Sequence, residues 1–149
     1  MNTLKHIPCI FFVVSYSTIY ATGQQQPSEK CASAIAVIGS IVNMVDGHIT
    51  NQWLQVDLQE PTTVTGLLTQ GRSNCCNQWV RSFKVSYGNS ESSLAMYQEN
   101  GATKIFTGNH DETTIKENRF SQPITARYIR IHPVTWQDHI SMRIEILDC

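Results

Sequence analysis

Residues 53–58 alternate without exception: Leu54, Val56 and Leu58 fall on one side of an extended chain, and Trp53, Gln55 and Asp57 on the other. A period of two is the pattern of a strand with one face in a core, and no helix satisfies it. Just before it, Asp46-Gly47-His48-Ile49-Thr50-Asn51 reads as a turn rich in side-chain oxygens. The strand signal then recurs. After a break at Glu60-Pro61, residues 63–70 resume a β-rich run, and residues 79–87 place Trp79, Arg81, Phe83, Val85 and Tyr87 on one side. Residues 94–99 and 104–107 flank Asn100-Gly101, a strong hairpin turn signal. Tyr128-Ile129-Arg130-Ile131-His132 alternates up to Pro133, and Ile140, Met142, Ile144 and Ile146 face inward against Ser141, Arg143 and Glu145. Many short strands with closely spaced turns, and no long helical pattern, predict an all-β antiparallel sandwich or barrel. The small apolar stretch over residues 31–45 fits a short strand or a helical turn equally well.

Residues 1–23 read as a signal peptide: Lys5 and His6, an apolar run over 7–19, and the small-residue exit Ala21-Thr22-Gly23. The run is short and interrupted by Pro8, Ser15, Ser17 and Thr18, which argues against a membrane span. A polar spacer follows over 24–30, and residues 31–149 suffice for one domain with a real core. The expectation is a secreted, extracellular protein in an oxidising compartment. A net charge of -1 argues against nucleic acid as a bulk electrostatic partner. Once Cys9 leaves with the leader, Cys31, Cys75, Cys76 and Cys149 remain, an even number that favours disulfides over metal. A bond between Cys31 and Cys149 would tie the two ends of the domain, worth up to ~5 kcal/mol in the chain-entropy picture.

Several segments together resemble a known family. Trp53-Leu54-Gln55-Val56-Asp57-Leu58, Val64-Thr65-Gly66, Thr69-Gln70-Gly71, Phe106-Thr107-Gly108-Asn109, Ala126-Arg127-Tyr128-Ile129-Arg130-Ile131-His132-Pro133, Trp136 and Met142-Arg143-Ile144-Glu145, with the terminal Cys149, are similar to the discoidin family. This is also called the coagulation factor V/VIII C-type domain, within the galactose-binding-like fold. The resemblance implies a discoidin-like jelly-roll β-barrel of eight strands, with Cys31 and Cys149 bonded. It also implies a binding module for cell-surface glycans, anionic phospholipid membranes or extracellular proteins, acting through loops, or spikes, at one end of the barrel. The family places a long segment with two spikes before the Trp-Leu-Gln-Val-Asp-Leu strand. Here 21 residues separate Cys31 from Trp53, too few for that segment.

The spike that remains is Arg72, Ser73, Asn74, Cys75, Cys76, Asn77, Gln78 and Trp79. Arg72 suits phosphate, carboxylate or sulfate, and the amides of Asn74, Asn77 and Gln78 suit sugar hydroxyls. Cys75-Cys76 stands where lipid-binding relatives carry two large apolar residues, and it buries less apolar area. These two cysteines are expected to form a vicinal bond or one between subunits, giving a disulfide-linked homo-oligomer. Asp46, Thr50 and Glu145 match the positions that hold a structural calcium in many galactose-binding-like domains, and calcium favours such oxygen sets. Asp46 capping a turn and Glu145 pairing with an arginine is the competing expectation. Arg127, Arg130, Arg143 and Asp57 read as partnered structural charges. No catalytic motif is visible, and the histidines are scattered, so an enzyme is not expected. The expected function is a binding module in cell adhesion or surface recognition. The alternative is an extracellular-matrix protein that assembles through disulfides and takes no small ligand.

Overall fold

In a computed structural model, residues 18–20, 34–40, 52–72 and 76–148 are described, the first two segments as backbone strands alone. Every regular element among them is a strand: β1 (Thr18–Tyr20), β2 (Ala34–Ser40), β3 (Leu54–Gln70), β4 (Trp79–Ser90), β5 (Ser93–Met96), β6 (Gln98–Glu99), β7 (Ala102–Thr103), β8 (Phe106–Thr107), β9 (Lys116–Gln137) and β10 (Ser141–Asp148). Apart from the β6–β7 hairpin they form one sheet in the order β2-β10-β3-β9-β4-β5, with β1 beside β3 and β8 beside β4. The ambiguity over residues 31–45 resolves as a strand, β2, antiparallel to β10. β1 lies within the stretch read as a leader and runs parallel to β3 opposite residues 55–57. The rest of that leader, the spacer over 24–30, and both Cys31 and Cys149 lie outside the described residues.

β3 and β9 each serve both layers of the sandwich. Residues 54–57 of β3 pair with 128–131 of β9, and beyond a register shift residues 62–69 pair with 116–126. Gln59, with φ 72°, sits in that shift, so Glu60-Pro61 bends the strand instead of ending it. One layer is therefore β5, β4, the second half of β9 and the first half of β3. The other is the first half of β9, the second half of β3, β10 and β2. Leu54, Val56, Val85, Ile129 and Ile131 from the first layer, and Val64, Leu67, Ile124, Ile144 and Ile146 from the second, are buried. An aromatic cluster extends this core, with Phe83 stacked on Phe106 at 5.4 Å and Tyr97 on Phe120 at 4.7 Å.

Three expectations change in detail. Pro133 does not stop its strand: β9 continues to Gln137, with irregular pairing to β4 around it. In β4 the register shifts on either side of Ser82 turn Val80 and Phe83 inward and leave Arg81 exposed, because a bulge inverts the alternation beyond it. The outer face of residues 53–57 is also covered. Gln55 is 0% exposed and Asp57 2%. Arg130 donates through Nε and Nη2 to Gln55 Oε1 (2.9 and 2.6 Å) and lies over the Trp53 ring at 4.2 Å. Gln55 Nε2 donates to Glu91 (2.6 Å), and Arg127 grips Asp57 with two bonds of 2.7 and 2.8 Å. The expectation that Asp57, Arg127 and Arg130 are partnered structural groups holds.

Candidate functional site

β3 ends in one layer and β4 begins in the other, so residues 71–78 cross one end of the sandwich. The crossing is braced. Arg72 N donates to Gln78 O (2.9 Å), Gln78 N to Cys76 O (2.8 Å), and Arg72 Nη1 to Gln78 Oε1 (3.2 Å). Ser141 Oγ also donates to Gln78 Oε1 (3.2 Å), tying the loop to the start of β10. Arg143 Nε donates to Gly71 O (2.9 Å) and its Nη2 to Glu112 O (3.4 Å), which accounts for Arg143 as a structural cation. Gly71 has no room for a side chain: a Cβ there would lie 2.7 Å from Glu112 Cα and 2.9 Å from both Gln78 O and Trp79 Cβ.

The expected ligand residues thus divide. Arg72 and Gln78 direct side-chain atoms at each other within the loop. Asn77 is exposed, while Cys76 and Trp79 are half-buried. Trp79 Nε1 is buried and has no hydrogen-bond partner among the described residues. Ser73, Asn74 and Cys75 lie outside the described residues, as do Asp46 and Thr50 of the expected calcium set. Glu145, the described member of that set, is half-buried in β10, and burial pushes its carboxyl pKa up. It has no hydrogen bond or ion pair among the described residues. No group of three or more His, Cys, Asp or Glu among those residues can hold a metal.

A second loop, residues 108–115, packs beside the crossing; its Gly108-Asn109-His110-Asp111 stretch reads as a turn in the sequence, but not as a neighbour of the candidate site. Gly108 N and Asn109 N donate to Arg81 O (2.7 Å) and Val80 O (2.8 Å). The buried Asn109 carboxamide donates to Thr69 O (3.1 Å) and Thr114 O (2.7 Å), pinning the loop to the end of β3. Asp111 Oδ1 accepts from the backbone N–H groups of Thr113 and Thr114 and Oδ2 from Thr114 Oγ1, which holds its carboxyl down to about 2. The sequence signal for this bracing is Asp111 followed at two and three residues by threonines, an Asx-type turn. On the same rim Arg81 Nη2 donates to Gln137 Oε1, and Gln137 Nε2 to Asp138 Oδ1 (2.8 Å).

A serine–histidine pair occurs elsewhere, with Ser86 Oγ 2.8 Å from His132 Nε2. Ser86 is 3% exposed, and burial, with Arg130 and Lys84 nearby, pushes His132 down to about 4. A buried hydroxyl beside so weak a base lacks both substrate access and activation.

Over residues 20–146 the sequence matches the F5/8 type C domain, and the chain belongs to that family. Lactadherin of Mus musculus is 41% identical over 99 residues, covering 66% of this chain and 21% of lactadherin. The chain therefore spans about a fifth of that relative's length. Among solved structures, recombinant discoidin II of Dictyostelium discoideum superposes with a TM-score of 0.61 at 27% identity, covering 83% of this chain and 46% of discoidin II. The family 32 CBM of NanJ from C. perfringens, solved in complex with galactose, shares the fold at a TM-score of 0.52 and 16% identity, covering 76% and 92% of the two chains.

Proposed function

We propose that this chain is a secreted discoidin-family binding module that takes a cell-surface glycan on residues 72–79, acting in adhesion or surface recognition. The observation that carries the reading is the braced crossing, which leaves Asn77 exposed and Trp79 half-buried at its base. An indole suits the apolar face of a sugar ring, and amides suit its hydroxyls. Ser73, Asn74, Cys75 and Cys76 complete the loop, and Arg72 adds affinity for a sulfate or carboxylate on the glycan.

A glycan array, run beside pull-down on vesicles with and without phosphatidylserine, tests the reading. Saturable glycan binding that Asn77→Ala weakens supports it. Binding to phosphatidylserine vesicles alone replaces the glycan with an anionic lipid head group. Binding to neither, with disulfide-linked dimers on a non-reducing gel, favours a matrix protein assembled through Cys75 or Cys76.

Calcium is part of the same proposal. Glu145 suits such a site as a half-buried carboxylate with no counter-charge among the described residues. Asp46 and Thr50 would supply the other oxygens. A bound cation would cross-link the last strand to the turn preceding β3. The melting temperature then rises in millimolar calcium and falls on chelation, and Glu145→Gln abolishes the difference.

A further inference from the structure

A groove of about 400 Å³ opens away from the loop crossing, lined by Tyr87, Met96, Tyr97, Gln98, Gln122 and Ile124 with Ala95 and Pro123. It lies where the β4–β5 hairpin and the chain entering β6 meet the bend of β9. The size is within the range of small-ligand sites. Its lining carries no charge. The nearest charged side chains along the β6–β7 hairpin, Glu99 and Lys104, close on each other at 2.5 Å.

The floor of the groove is built. Tyr97 is 3% exposed, stacked on Phe120, with its hydroxyl 3.0 Å from Ser121 Oγ and accepting from Gln122 N at 3.3 Å. That last bond holds the backbone of Gln122 at the rim. Tyr87 leans over the floor, its ring centroid 6.4 Å from that of Tyr97 and tilted by 56°. The Tyr87 hydroxyl and the side-chain amides of Gln98 and Gln122 have no hydrogen-bond partner among the described residues. Met96 is 39% exposed beside them, one of few large apolar side chains left open to water among the described residues.

We infer that this groove is a second binding site, for a neutral saccharide, separate from the loop of residues 72–79. A half-exposed tyrosine and a methionine give an apolar platform for one face of a pyranose. A phenol and two carboxamides supply both donors and acceptors for hydroxyls. An uncharged lining offers nothing to offset the desolvation of a phosphate, sulfate or carboxylate, so anionic ligands are disfavoured. The site does not depend on the loop reading, and either can fail alone.

The test is titration of the whole ¹⁵N-labelled chain with lactose, read by amide shifts. The inference expects saturable shifts at Tyr87, Met96, Gln98 and Gln122. It expects about tenfold weaker binding in the Gln98→Ala/Gln122→Ala variant through the loss of two neutral hydrogen bonds, with the remaining spectrum unchanged. Tyr87→Phe, which keeps the ring and removes only the hydroxyl, weakens binding by less. Arg72→Ala leaves the groove shifts unaltered. Shifts confined to residues 71–79, no shifts at all, an unimpaired double variant, or a sulfated disaccharide that binds the groove more tightly than lactose would each overturn it.

Discussion

Asp57 is the clearest case of a residue whose setting lies outside the reach of local sequence. Alternation assigns it to a solvent face, yet Arg127, seventy positions away, covers it with two hydrogen bonds and holds its carboxyl pKa down. Gln55 and Arg130 repeat the arrangement. Periodicity senses polarity but not the partner that makes burial tolerable. Arg127→Ala strands a carboxylate that is nearly inaccessible. Because the arginine is itself 37% exposed and water can enter in its place, the expected loss is about 2 kcal/mol, read from urea denaturation. His132 adds a pH dependence. Its folded value, about 4, lies below the ordinary 6.5, so below that ordinary value the unfolded chain takes up a proton that the folded chain refuses. Stability therefore falls as pH drops from about 6.5 towards 4, and the lowered Asp57 steepens the fall at the acid end. The urea midpoint measured against pH checks this, with His132→Asn expected to flatten the upper part of the slope.

Among the elements, those governed by local rules were the most legible. Asn100 and Gly101 have φ of 52° and 78°, the left-handed pair that a two-residue hairpin needs, and they join β6 to β7 as the dipeptide predicts, though the returning arm is Ala102–Thr103 and not 104–107, whose end pairs with β4 as β8. Gly101→Val has open space for its side chain but the wrong backbone preference, so about 1 kcal/mol of stability is lost without a packing defect. The strands of β10 and of residues 128–132 were legible because core contact imposes their period. Less legible were the long paths of β3 and β9. Glu60-Pro61 marks a break in the sequence, but that the chain bends through a positive φ at Gln59 and continues as one strand depends on pairing with β9. At the candidate site, the sequence marks where the crossing lies but not its bracing. Gly71→Ala tests that bracing. The added methyl pushes Glu112 and Trp79 apart, so the variant melts lower and loses ligand binding together, whereas Asn77→Ala loses binding alone.

Over the whole molecule, two layers share two long strands, and the residues proposed to bind ligand gather on a crossing between the layers. The sequence anticipated the fold because the motif residues of the family are mostly core and corner positions, set by packing. Binding contacts follow from loop conformation, for which alternation gives no signal. Closure of the chain by a Cys31–Cys149 bond remains a proposal at this scale. Mass spectrometry of the unreduced chain should recover a peptide joining the two, and reduction should lower the melting temperature if Cys75 and Cys76 are first replaced by serine. The central claim is that residues 72–79 hold the ligand. Isothermal titration of the strongest array glycan into wild-type chain and Asn77→Ala, with melting temperatures in parallel, tests it most directly. Binding about tenfold weaker at an unchanged melting temperature is expected. Equal affinity for both proteins would contradict it.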